Sequence, residues 1–180
     1  FTPQLQLRGA ITKTIARPNP QDILPVRTVN DTTLVVTDGN PDLRATESIN
    51  YDLGIAYYLK PLGVLSASAF QKEIDGFYAD STETVQAGEF RGYQLTHPDM
   101  GTGGRIRGLE LEVQKRLTFL PGALSGLGVG ANHTWLDAEG TYSNRPGVKL
   151  PFNGAAKRNW NVNVFYARGP VDLRVFVNYR

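Results

Sequence analysis

Residues 49–59 read INYDLGIAYYL, and an apolar or aromatic side chain occupies every odd-numbered position of this stretch. The even-numbered positions carry Asn, Asp, Gly, Ala and Tyr. Successive side chains of a β-strand point to opposite faces, so this alternation predicts a strand with one apolar and one more polar face. Soluble strands are typically about 5–6 residues long, whereas a tilted strand needs about 9–11 residues to cross a bilayer. The length of this stretch therefore favours a strand that crosses a membrane.

The same alternation recurs along the chain and predicts about seven strands. They are expected in residues 5–15, 49–59, 64–77, 108–114, 127–135, 160–166 and 171–179. The phase of the third stretch shifts near Phe70, which is typical of a β-bulge. No segment has a convincing helical periodicity, and no run of about 20 apolar residues predicts a membrane helix. We therefore expect an all-β fold.

The connections between the predicted strands alternate strictly in length. Residues 16–47, 79–104 and 137–159 form long connections, while 60–63, 120–126 and 168–170 form short ones. Outer-membrane barrels have short turns on one side and long loops on the other. The pattern predicts an antiparallel transmembrane β-barrel segment. Seven strands leave two unpaired edges, which hydrocarbon does not tolerate, so we expect a fragment of a larger barrel.

The composition argues against several other classes of protein. Nineteen Lys and Arg oppose seventeen Asp and Glu, without the basic clusters of a nucleic-acid-binding protein. Cysteine is absent, which excludes disulfides and thiolate metal sites. The two histidines, His97 and His133, stand in no catalytic motif. His97 is expected to be a solvated loop residue and His133 an interfacial one. We predict no enzymatic activity, no catalytic residues, no metal site and no cofactor.

One oxygen-rich segment, DGNPD at residues 38–42, has the composition of a calcium loop. It lacks the spacing and the terminal Glu of an EF-hand loop. An Asx turn, in which an Asn or Asp side chain accepts from a backbone N–H nearby, is the favoured interpretation.

Three blocks resemble the β-barrel of TonB-dependent outer-membrane receptors. The first comprises LRGA at residues 7–10 and RPNPQDILP at 17–25, and the second comprises GNPDLRATES at 39–48 and YDLGIAYY at 51–58, with Ala45 in place of a proline. The third is GRIRGLELE at residues 104–112. Their order and spacing, together with the loop pattern, extend the resemblance over nearly the whole chain.

This resemblance implies that residues 1–180 form part of a barrel of about 22 strands, without the plug domain and the final strands. The parent receptor would lie in the bacterial outer membrane and take up a siderophore-iron complex, cobalamin or an oligosaccharide. Its expected partners are outer-membrane lipid, the rest of the barrel, the plug, and the TonB system through the missing N-terminal part.

Ligand contacts are expected in the outer loops. By location alone, the candidate ligand-binding residues are Tyr93, His97, Tyr142, Arg145 and Phe152. Two alternatives remain open: a passive porin-like channel and a soluble β-sandwich binding module. The sandwich predicts that the apolar side chains of the strands pack against a second sheet, whereas the barrel predicts that they are exposed. The side chains that distinguish the two are Leu53, Ile55, Val162, Val175 and Val177.

Overall fold

The computed structural model describes residues 3–180, which form two β-sheets and little helix. The elements in chain order are β1 (Leu5–Ala16), α1 (Pro20–Ile23), β2 (Arg27–Asn30), β3 (Val35–Asp38), β4 (Thr46–Leu59), β5 (Gly63–Asp75), β6 (Tyr78–Thr84), β7 (Gln94–Met100), β8 (Gly103–Arg116), a 3₁₀ helix (Gly122–Gly126), β9 (Leu127–Thr141), β10 (Lys149–Pro151), β11 (Arg158–Arg168) and β12 (Val171–Tyr179). Over the described range, no helix has the length and apolar character needed to cross a membrane.

The large sheet is an antiparallel meander in the order β1-β4-β5-β8-β9-β11-β12, with the short β10 paired to β9. Its seven long strands contain between 9 and 15 residues. The prediction of about seven long antiparallel strands is confirmed. All three long connections leave the same end of the sheet because successive strands run in opposite directions. We call this end the loop end.

The predicted bulge near Phe70 is wrong, because the hydrogen-bonded register is continuous there. Phe70 pairs with Asp52 on β4 and with Gly108 on β8. A Cβ atom on Gly108 would lie 2.5 Å from the Phe70 ring, so this ring occupies the space above a residue without a side chain. The apparent shift in phase comes from one large aromatic residue on the polar face, and the backbone keeps its alternation.

The apolar face of the large sheet is exposed. Leu53 is 58% exposed and Val175 is 70% exposed, and Ile55, Val162 and Val177 are exposed as well. The buried hydrophobic side chains of residues 3–180 (Val36, Leu43, Phe77 and Ala138) lie in the loops or near the loop end. The alternative of a soluble β-sandwich, in which these side chains pack against a second sheet, is therefore wrong. We call the apolar face the outward face and the polar face the inward face.

The apolar band of the outward face runs diagonally across the strands. Toward the loop end it stops at Ile49 on β4, at Leu109 on β8 and at Trp160 on β11. The register places Arg105, not Leu109, in the same hydrogen-bonded row as Ile49. Hydrogen-bonded rows run perpendicular to the strands, so a band that drifts across rows indicates strands tilted relative to the membrane. Barrel strands are tilted in this way.

A second sheet, which we call the loop sheet, has the order β2-β3-β7-β6. Its strands come from the two long connections that the sequence pattern left without strands. Strands β2 and β3 belong to the β1–β4 connection, and β6 and β7 belong to the β5–β8 connection. The two connections join through the parallel pairing of β3 with β7. Val36, at the centre of the loop sheet, is only 1% exposed.

Candidate functional site

Three aromatic rings meet at the loop end of the large sheet, and we call them the rim cluster (Phe77, Tyr142 and Phe152). The Phe77 ring lies edge-on to Tyr142 at a centroid distance of 5.2 Å and edge-on to Phe152 at 5.0 Å. Edge-to-face packing at such distances is favourable for aromatic rings. A Cβ atom on Gly140 would lie 2.9 Å from Phe77 and 3.0 Å from Phe152. The glycine on β9 therefore leaves the space that these rings fill.

The rim cluster contains two of the five residues predicted from loop position, Tyr142 and Phe152. Arg145 lies in the exposed turn between them, where its backbone N–H donates to the Tyr142 carbonyl at 3.1 Å. Phe77, the central ring, was not predicted as a site residue. The available signal was the pair of glycines, Gly104 and Gly140, on two strands that proved to be neighbours. Two glycines paired across neighbouring strands leave an open space on one face of the sheet, which aromatic rings from other parts of the chain can fill.

Tyr93 lies directly before β7 and is bound to the turn that follows β2. Its hydroxyl donates to Asp31 Oδ1 at 3.0 Å, and its ring lies 5.6 Å from that of Phe90. The hydrogen bond to the Asp31 carboxylate, with burial and the negative charge of Asp31 adding to it, raises the pKa of Tyr93. Because Asp31 lies in the first long connection and Tyr93 in the second, this contact links the two connections.

His97 lies on β7 rather than in an open loop. Its side chain is half-buried, and Nδ1 is buried without a hydrogen-bond partner among residues 3–180. The expectation of a solvated loop residue is therefore wrong, and the cause is the loop sheet that the sequence pattern did not predict. A buried imidazole nitrogen left without a hydrogen-bond partner is a costly group.

A charged pair closes one edge of the loop sheet. Arg27 donates through Nε and Nη2 to the two carboxylate oxygens of Asp38, at 2.8 and 2.5 Å. The hydrogen bond from Arg27 lowers the pKa of Asp38, with the positive charge of Arg27 and a smaller effect of His97 acting in the same direction against burial. The guanidinium of Arg27 also lies 5.8 Å above the Phe90 ring.

We expect acid to loosen this edge of the loop sheet. The lowered pKa of Asp38 means that its contribution is present above the pKa of the unfolded chain and is lost as the pH falls through the lower, folded value. The loss is therefore expected below about pH 4. The protection of residues 27–38 against hydrogen exchange, taken relative to the intrinsic exchange rate at each pH, should fall in that range. Asp38→Asn should show faster exchange already at neutral pH and a weaker acid response; an unchanged acid response would contradict the assignment to Asp38.

The DGNPD segment forms the predicted Asx turn. The backbone N–H of Asp42 donates to Asn40 Oδ1 at 2.9 Å, and Asn40 Nδ2 donates to the Pro98 carbonyl at 2.9 Å. The second bond ties the first long connection to β7. No cluster of three or more metal-ligating side chains occurs between residues 3 and 180.

The comparisons with known proteins agree with this architecture. Residues 1–180 match the family model described as TonB dependent receptor-like, β-barrel. Among solved structures, 97% of the chain superimposes on 29% of the hemophore receptor HasR of Serratia marcescens, with a TM-score of 0.70 and 15% identity. For the siderophore receptor PirA of Pseudomonas aeruginosa, the shares are 99% and 32%, with a TM-score of 0.68 and 14% identity.

A third structure is a mutant of the ferric enterobactin receptor PfeA of Pseudomonas aeruginosa in complex with enterobactin. It shares 15% identity with this chain, covers 98% of it with a TM-score of 0.66, and has 26% of its own length matched. The chain thus spans about a third or less of each of these receptors. No curated protein sequence matches the chain. The match over residues 1–180 shows that the chain belongs to the β-barrel family of TonB-dependent receptors.

Proposed function

We propose that this chain is part of the barrel of an outer-membrane receptor that takes up a scarce ligand with energy supplied through TonB. One observation carries the proposal: a seven-stranded meander has an exposed apolar outward face, a polar inward face and all its long connections at one end. The family consists of transport receptors of the Gram-negative outer membrane. The mechanism is binding and gated passage, with no bond made or broken by this chain.

The edges of the large sheet support the proposal that residues 1–180 are part of a larger barrel domain. Within the described range, β1 pairs only with β4, and β12 pairs only with β11. The outward residues of β12 are exposed and apolar, so this strand belongs in hydrocarbon, where unpaired backbone groups cost several kcal/mol. Further strands of the parent receptor would pair with both edges, in a barrel of about 22 strands that a plug domain closes.

For the ligand, we propose an iron-loaded siderophore or heme, with cobalamin or an oligosaccharide as alternatives. The similar structures are named as siderophore and hemophore receptors, which favours iron-containing ligands. The rim cluster offers flat aromatic surface at the loop end, beside the polar inward face. Tyr142 and Phe152 are the best-supported contacts, and His97, Arg145 and Tyr93 remain candidates.

The test of the proposal is uptake by cells that produce the complete parent receptor. Accumulation of radiolabelled iron-siderophore should stop when an uncoupler collapses the proton gradient or when TonB is deleted, while binding to the cell surface persists. Uptake that continues under both treatments would instead assign the parent to the alternative, a passive porin-like channel.

Removal of one ring from the rim cluster should weaken ligand capture. Phe152→Ala is expected to reduce the affinity of the parent receptor about 5- to 30-fold, which corresponds to a loss of about 1–2 kcal/mol for a contact residue that contributes to binding. Phe119→Ala is the matched control, since Phe119 is an exposed ring at the opposite end of the sheet. Equal affinities for the two variants, at equal receptor levels in the membrane, would remove the rim cluster from the ligand site.

A further inference from the structure

The outward face carries a shallow groove of about 680 Å³ with an almost wholly apolar lining. Ala67 and Ala131 provide small side chains within it, and Tyr57, Leu111, Trp160 and Val162 are among the larger ones around them. Sites for small molecules typically have volumes of about 300–1,000 Å³ and combine an apolar lining with a few polar groups. The groove has the volume and the apolar lining of such a site.

Aromatic rings mark the side of the groove that faces the loop end. His133, which lines the groove, packs against Trp135 at a centroid distance of 3.9 Å. Trp160 stacks on Tyr179 at 5.6 Å. Tryptophan and tyrosine are enriched where hydrocarbon meets the headgroup layer. The end of the groove at β9 and β11 therefore lies in the hydrocarbon layer, directly below the level of the headgroups, and the end at Tyr57 lies deeper because the strands are tilted.

One cation at the level of the headgroups, Arg158, has no side-chain partner within residues 3–180. Arg158 precedes Trp160 by two positions, so both belong to the same face of β11, about 6.6 Å apart along the strand. The side chain of Arg158 is exposed and forms no ion pair or hydrogen bond with any side chain in residues 3–180. The neighbouring outward arginines differ, since Arg107 binds Asp137 at 2.8 Å and Arg105 binds Glu139 at 2.8 Å.

We propose that the groove and Arg158 together form a binding site for a phosphorylated lipid of the outer leaflet. The acyl chain lies in the groove between Tyr57 and Trp160, and the guanidinium of Arg158 donates to the phosphate oxygens. Arginine suits this role because its planar donors match the geometry of phosphate. The inference rests on the proposed function, in which the loop end of the receptor lies on the outer side of the outer membrane.

The occupant follows from charge complementarity. A protein partner or a second copy of the chain would need an acidic group at the height of Arg158, in the headgroup layer, as well as an apolar surface for the groove. A phosphorylated lipid has both parts in one molecule, at the separation that the membrane itself imposes. The geometry thus favours lipid over another protein.

Native mass spectrometry of the complete receptor in detergent tests the site. The probes are dimyristoylphosphatidic acid, dimyristoylglycerol (the same acyl chains without phosphate) and inorganic phosphate. Arg158→Gln should lower the affinity for the phosphatidic acid about fivefold, since one cation near an anionic lipid surface contributes about 1 kcal/mol. Arg174→Gln is the matched control, because Arg174 is an exposed arginine on the inward face.

Two further variants test the acyl part of the site. Ala131→Phe should fill the groove and lower the affinity for the phosphatidic acid, whereas Ala69→Phe adds the same ring on the outward face outside the groove. Equal binding of dimyristoylglycerol, equal competition by inorganic phosphate, or no difference between Arg158→Gln and Arg174→Gln would overturn the proposal. Uptake driven by the proton gradient should not change in Arg158→Gln, so failure of the lipid site is distinguishable from failure of the transport function.

Discussion

Leu53→Arg is expected to destabilise the folded barrel in a lipid bilayer by about 2–4 kcal/mol, the cost of a cation on the lipid face near the bilayer midplane. Leu53 is the middle residue of the outward face of β4, between Tyr51 and Ile55, and it is 58% exposed. Its neighbours across the strands, Gly9 and Ala69, offer no negative charge to pair with an arginine. Urea titration of the parent receptor in lipid vesicles gives the free energy of unfolding.

Asp52→Arg is the control, because it places the same side chain one residue away on the inward face. Asp52 is exposed toward the polar side, where water in the lumen solvates a charge, so the expected change is well under 1 kcal/mol. A similar loss in both variants would mean that β4 is sensitive to arginine for another reason. A larger loss for Asp52→Arg would reverse the assignment of the two faces.

The positions of the long strands were predictable because their information is local. A strand half exposed to lipid needs a hydrophobic residue at every second position, and residues 49–59 carry that pattern without any knowledge of their neighbours. The alternation of apolar and polar residues gave a wrong prediction at Phe70, because the residue that explains this position lies on another strand. A large ring on the inward face is explained only by Gly108 opposite it, and the pairing of β5 with β8 spans a long connection.

The loop sheet was not predictable from the same pattern. Its strands have four to seven residues, too few for a periodic signal to emerge from segments of mixed polarity. Its central pairing joins Val36 to Leu95 in parallel, between two separate connections. Such contacts depend on the barrel wall, which brings the two connections to one end of the sheet. The candidate site has the same character: loop position indicated Tyr142 and Phe152, but Phe77 joins them only in the folded chain.

The contacts between the first two long connections hold them together as one unit, and these contacts are of three kinds. The backbone N–H of Gln94 donates to the Leu34 carbonyl at 2.9 Å, and Asn40 and Tyr93 add the side-chain bonds to Pro98 and Asp31. A unit of this kind can hold residues of both connections at the loop end in a fixed arrangement. The unit should be most sensitive to substitution at a position where an added side chain would collide with the backbone of a neighbouring segment.

Gly39→Ala is expected to separate this unit from α1 and to raise hydrogen exchange across residues 20–43. A Cβ atom on Gly39 would overlap the Leu24 carbonyl oxygen and would lie 3.2 Å from that of Asp22, so the backbone must move. The same movement stretches the hydrogen bond from the Asn40 N–H to the Asp22 carbonyl, which is 2.6 Å long. Overpacking against a fixed neighbour costs about 1–3 kcal/mol. Exchange measured by mass spectrometry on the parent receptor gives the local change.

Gly9→Ala controls for the added methyl group, since the nearest atoms to a Cβ there are 3.9 and 4.0 Å away. The backbone of Gly39 lies outside the left-handed region, so alanine at this position meets a steric obstacle and no conformational one. Asn40→Ala should act in the same direction with a smaller effect, because it removes the bond to Pro98 and the Asx turn but leaves the backbone in place.

Loop-sheet exchange that stays at the native rate in Gly39→Ala would show that α1 does not hold the unit. Faster exchange together with unchanged ligand affinity would show that the unit does not position the rim cluster. Faster exchange with weaker binding would connect the packing of one glycine, through the loop sheet, to capture of the ligand.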